Sequence, residues 1–120
     1  MVTNNPIVIS DCLLDFGKIN VKELGMMPVL LRVRDYLHQG HQLISHPLSG
    51  SLKPNENPYK SIIITRGRGE LNIKQVMIIE NAIETCKKFL NNKSLPQYTD
   101  DLLNDFMYVD KTIITSGLKN

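Results

Sequence analysis

At 120 residues, with 42% hydrophobic and 22% charged side chains, the chain has enough apolar material to bury one core, and one domain is expected. Lysine plus arginine number 14 against 12 acidic residues, and a net charge of +2 excludes a strong general pull toward nucleic acid or an anionic membrane surface. The longest mostly apolar run, 25–31, is far short of the roughly 20 residues that span a bilayer, and no basic-then-apolar leader follows Met1, so the expected location is the cytoplasm.

Along the chain, Asn4-Asn5-Pro6 reads as a turn, and 7–9 and 19–21 read as short strands. Pro28 suits a first helical turn. Val29, Leu30, Val33, Tyr36 and Leu37 then recur at three- and four-residue spacing, which predicts a helix over 27–39 closed by Gly40. The apolar-centred stretch 41–45 reads as a strand leaving that helix, and the β-branched run 61–65 as a central strand buried on both faces. Asn72 with Gln75 three residues on resembles a capping box. The helix it opens carries Val76, Ile79, Ile83, Cys86 and Leu90 on one face, and Asn91 to Ser94 with Pro96 end it. Thr99-Asp100-Asp101 caps a further helix. The favoured reading breaks it with a strand at 106–109, after which Asp110 caps a last helix; the competing reading is one helix over 100–116. Strands alternating with helices predict a small α/β domain of two or three layers, with helices flanking a mostly parallel sheet.

The chemistry-bearing residues concentrate between the two central apolar runs. Residues 46–60 form a long polar connection, stiffened by Pro47, Pro54 and Pro58, and connections of this length inside a compact domain tend to be functional or disordered. Without low-complexity repeats, this one reads as ordered. Ser49, Gly50 and Ser51 with Lys53, Tyr59 and Lys60 supply hydroxyls, backbone amides and positive charge, the ingredients of an anion site. There is no GxxxxGK[ST] pattern and no following helix, which excludes a nucleotide P-loop. His46 stands where the predicted strand exits into this loop. It reads as a loop-orienting imidazole, and the alternative is a general acid or base that would need a carboxylate partner such as Asp35 or Glu56.

His38, His41 and His46 fall within nine positions, but they divide among a helix end, a strand start and a strand end, so no metal site is expected. Cys12 and Cys86 are too far apart for a CxxC pair and read as two reduced thiols, which leaves no redox or nucleophilic motif. Arg66-Gly67-Arg68-Gly69 lacks the aromatic platform of a nucleic-acid binder and reads as a solvated turn. No Gly-x-Ser-x-Gly elbow surrounds Ser49 or Ser51.

Val33-Arg34-Asp35, His38, Gly40-His41, His46-Pro47-Leu48-Ser49-Gly50-Ser51, Lys53-Pro54-Asn55-Glu56 and Pro58-Tyr59-Lys60-Ser61 together resemble the signature of the GrdX family, and Thr3-Asn4-Asn5-Pro6 resembles its N-terminal element. The resemblance implies a small accessory protein of the glycine, sarcosine and betaine reductase systems, which carry out reductive deamination yielding acetyl phosphate. It does not imply the reductase activity, and no cofactor is expected. Combined with the loop chemistry, it gives a noncatalytic accessory or regulatory protein that contacts a reductase component or a small anionic metabolite. Ser49, Gly50, Ser51 and Lys53 would hold the anion, while His46 and Asn55 orient the loop. The rivals are a small enzyme acting on a phosphorylated or carboxylated metabolite, with His46 as acid/base and Lys53 or Lys60 stabilising negative charge, and a dimerising domain whose loop mediates self-association.

Overall fold

The computed structural model describes residues 1–10, 17–49 and 53–118. Its sheet has β1 (Val2–Thr3) in the middle, paired in parallel with β2 (Ile19–Asn20) and antiparallel with β3 (Ser61–Ile62). Because side chains alternate along a strand, β1 and β3 present two different faces. Val2, Ile62 and Ile64 join the core built from Val29, Leu30, Val33 and Leu37 of α2 (Met26–His38) and Ile79, Ile83 and Cys86 of α3 (Ile73–Asn92). The intervening residues Met1 and Ile63 meet Val8 of α1 (Pro6–Ile9) and Ile114 of α4 (Asp100–Leu118) in a smaller cluster. The sheet is therefore sandwiched, with α2 and α3 on one face and α1 and α4 on the other. No helix among the described residues is long and apolar enough to cross a membrane.

The predicted helix over 27–39 appears as α2, and Gly40 closes it at φ +102°, where a Cβ would overlap the carbonyl oxygen of Gly69. Asn72 caps α3 by accepting from the Gln75 amide at 3.3 Å. The reciprocal half of a capping box is not made, because Gln75 Oε1 accepts instead from the Leu43 amide at 2.6 Å. That bond explains a correction. Residues 41–45 do not form a strand, only an isolated bridge between Leu43 and Ile64, since Leu43 commits its N–H to a helix side chain rather than to a ladder.

Four further expectations are corrected. Residues 7–9 are helical: Asn5 accepts from the Ile7 amide, and Pro6 presets φ at the first helical position. Residues 106–109 belong to the single helix α4, capped by Thr99, whose hydroxyl accepts from the Leu102 amide; Asp110 sits in the helix interior, not at a cap. The run 61–64 is buried as expected, yet the central strand is β1. Finally, the sheet is mixed, not mostly parallel. The loop before β3 is tied to Asn4, at the C-terminal end of β1, so the chain enters the sheet there and must run opposite to β1.

Cys86 is fully buried, and its surroundings push the thiol from its ordinary 9.0 up to about 11. The unfolded chain loses this proton first as pH rises, so the stability it contributes is complete below pH 9 and is lost on passing through 11. The expected loss is on the order of 2 kcal/mol. Urea midpoints between pH 8 and 11, compared with Cys86→Ala, isolate the thiol's share: the variant is weaker throughout but lacks this decline. Cys12 lies outside the described residues.

Candidate functional site

Two asparagines and an aspartate build the frame on which the 46–60 loop sits. Asn4, one residue past β1, shares its two Nδ2 hydrogens among the carbonyls of Glu23 (3.0 Å), Gly25 (3.1 Å) and Pro58 (3.0 Å), and accepts from the Lys60 amide through Oδ1 (2.8 Å). One side chain thus joins the approach to α2, the end of the loop and the start of β3. On the opposite face, the carboxylate of Asp110 accepts from Asn5 Nδ2 (2.9 Å), the Ser61 amide (3.1 Å) and Ser61 Oγ (2.7 Å). Ser61 has given its hydroxyl hydrogen to Asp110, so the 2.7 Å contact between the two hydroxyls requires Thr3 Oγ1 to donate. Thr3 Oγ1 in turn accepts from the Asn5 amide at 3.0 Å. Every hydrogen in this buried chain has one acceptor.

Lys60 follows directly. Only 3% of the residue is exposed, yet its side chain carries an ammonium, and that group donates to the Ser49 carbonyl at 2.6 Å and lies 3.4 Å from Ser49 Oγ. Burial holds its pKa below the usual lysine value, with the Asp110 charge opposing in part. A buried cation anchoring a loop carbonyl ties Ser49 to the residue that precedes β3. Ser49 in turn separates two clefts. The first, of about 240 Å³, is lined by Ser45, His46, Ser49, Ile63 and the α4 residues Ile113 and Ile114. The second, of about 210 Å³, lies toward the start of α2 and the end of α3, with Ser49, Lys53, Asn57, Thr85 and Phe89 in its lining.

The residues singled out in sequence fall at different places in this arrangement. His46 is exposed, and its Nδ1 accepts from the Leu48 amide at 3.0 Å, which places the ring proton of the neutral form on Nε2. Ser49 and Lys60 meet. Lys53 is exposed, and its carbonyl accepts from the Glu56 and Asn57 amides, turning the loop back on itself. Asn55 and Tyr59 are buried; Asn55 Oδ1 has no partner among the described residues, and burial raises the Tyr59 pKa, with Asp100 adding to the shift. Gly50 and Ser51 lie outside the described residues. His46 and Lys53 line different clefts, and the Lys60 ammonium is taken by Ser49.

His38 approaches Glu80, and His41 bonds the Thr65 carbonyl through Nδ1 at 2.8 Å with its ring edge-on to Tyr36. The three histidines therefore take three separate partners, and no group of metal-ligating side chains comes together among the described residues.

Sequence reasoning took Asn4-Asn5 for a turn and Asp110 for a cap. Two signals pointed elsewhere. An asparagine before proline is a helix start, and a carboxylate four residues after Phe106 and four before Ile114 lies on an apolar stripe, where it requires donors.

No curated protein and no solved structure matches the chain. A family model described as GrdX-like protein matches residues 1–119. The chain belongs to the GrdX-like family.

Proposed function

We propose that this protein is a noncatalytic accessory component of a glycine, sarcosine or betaine reductase system, working in the cytoplasm. It contacts a reductase component or a small anionic metabolite through the 46–60 loop. Family membership across residues 1–119 supports the link to that system. The observation that carries the loop reading is Lys60: a buried ammonium held against the Ser49 carbonyl fixes a polar turn between two clefts, and an ordered polar turn of that kind is a recognition element. The enzyme reading needs His46 and a lysine to converge on one cavity. They line different clefts, and the Nδ1 of His46 is occupied by a backbone amide, which favours the noncatalytic reading.

Capture of reductase components on the immobilised protein, with calorimetry against phosphate, acetyl phosphate and glycine, tests the proposal. Binding of at least one component or metabolite is expected, weakened when Lys60 is replaced by Met. Absence of both kinds of binding in the folded protein overturns it.

A further inference from the structure

We infer that the second cleft, between α3 and the loop residues Leu48, Ser49, Lys53, Pro54 and Asn57, binds a small carboxylate bearing a short apolar body. This deepens the metabolite reading above and rests on it.

The polar groups around this cleft are mostly donors. Asn57 is 9% exposed, and its Oδ1 is committed to the Tyr59 amide at 3.3 Å. Its Nδ2 makes no hydrogen bond to a described residue and opens on the cleft, so two amide hydrogens are offered to whatever occupies that space. The Ser49 hydroxyl faces the Lys60 ammonium, which cannot accept a hydrogen bond. Its own hydrogen is therefore directed elsewhere, and the neighbouring positive charge makes it the stronger donor. Lys53 adds a full positive charge that no described residue pairs, and no carboxylate stands among the described residues that line the cleft. Thr85 donates to the Asn81 carbonyl at 3.0 Å and offers the cleft an acceptor only.

Donors and one unpaired cation define an anion; the rest of the wall defines its body. Met26, Leu48 and Phe89 supply apolar surface, which inorganic phosphate would leave unmatched and a short hydrocarbon chain would cover. At about 210 Å³ the space is smaller than the ~300–1,000 Å³ of sites that take drug-sized ligands, which limits the occupant to a few heavy atoms. The first cleft lacks this pattern. Its polar lining is Ser45, His46 and Ser49, which keep hydroxyl and ring N–H donors, but no lysine or arginine stands among the described residues that line it, whereas Lys53 lines the second.

Titration of the ¹⁵N-labelled full chain with isovalerate, and separately with inorganic phosphate, reads the site directly. Isovalerate is expected to shift the Asn57 side-chain amide and the backbone amides of Leu48, Ser49, Lys53 and Asn57, and to bind at least tenfold more tightly than phosphate. Asn57→Asp keeps the acceptor for the Tyr59 amide and turns the free donor into a negative acceptor, so it should weaken isovalerate at least tenfold. Lys53→Gln, at an exposed position, should weaken it severalfold and serves if Asn57→Asp does not fold. The inference fails if isovalerate shifts the His46 and Ile113 cleft instead, if phosphate binds and isovalerate does not, or if folded variants bind isovalerate as the wild type does. It also fails alone if no anion binds while a reductase component is captured. Loss of both kinds of binding overturns the accessory-protein reading as well.

Discussion

Replacing Asn4 by alanine is expected to lower the unfolding free energy by about 3 kcal/mol. Four backbone groups lose a partner at once. Two of these bonds, to the Pro58 carbonyl and from the Lys60 amide, are buried; the Pro58 carbonyl keeps the Gly25 amide at 2.7 Å, but the Lys60 amide is left without an acceptor, and an orphaned buried group costs roughly 1–3 kcal/mol. The bonds to Glu23 and Gly25 are partly exposed and contribute less. Asn4→Asp is nearly isosteric and still accepts from Lys60, but it sets a carboxylate against three carbonyl oxygens. It should be worse than alanine at neutral pH. Its folded pKa would lie above the unfolded value of about 3.9, so the lost stability returns as pH falls through the folded pKa. Urea unfolding followed by far-UV circular dichroism suits a chain with no tryptophan. An aspartate variant as stable as wild type at pH 7 would mean that the three carbonyls do not face Nδ2.

The role of Asn4 also shows which parts of the molecule local sequence could reveal. The helices α2 and α3 were legible because their apolar residues repeat at helical spacing over many turns, and because Gly40 and Asn72 carry unambiguous stop and start chemistry. Each strand spans two residues, too short for alternation to register, and the sheet depends on pairings between residues 17 to about 60 positions apart. β1 escaped notice for that reason. The antiparallel direction of β3 was equally hidden, being set by bonds between Asn4 and residues 58 and 60. The candidate site divides the same way. That residues 46–60 matter was readable from proline, glycine and lysine content. That Lys60 would turn inward to Ser49, leaving Lys53 and Asn57 at one cleft and His46 at another, depends on tertiary contacts that no spacing rule contains.

A second large effect is expected on the opposite face of the sheet. Asp110→Ala removes the acceptor for Asn5 Nδ2, for the Ser61 amide and for the Ser61 hydroxyl, all of them buried bonds, and should cost about 4 kcal/mol. The loss should be local as well as global. α4 meets the sheet through a small apolar cluster to which, among the described residues, it contributes Ile114 as its buried member, whereas α2 and α3 share the main core. Amides of 103–117 and of Ser61 should therefore lose hydrogen-exchange protection before those of α2 and α3 do. Asp110→Asn separates charge from connectivity. Its remaining oxygen can still serve the Ser61 amide, but its NH₂ then meets Asn5 Nδ2, whose other hydrogen is committed to the Met107 carbonyl and whose Oδ1 already accepts from Ile7. Flipping the amide moves the conflict to the Ser61 amide. One buried donor loses its acceptor in either orientation, so a cost of about 2 kcal/mol is expected, between wild type and alanine. If both variants lose less than about 1 kcal/mol, the apolar contacts around Ile114 hold α4 by themselves. If asparagine proves as costly as alanine, the negative charge itself, which favours the charged form of the buried Lys60 ammonium, supplies what the hydrogen-bond count does not.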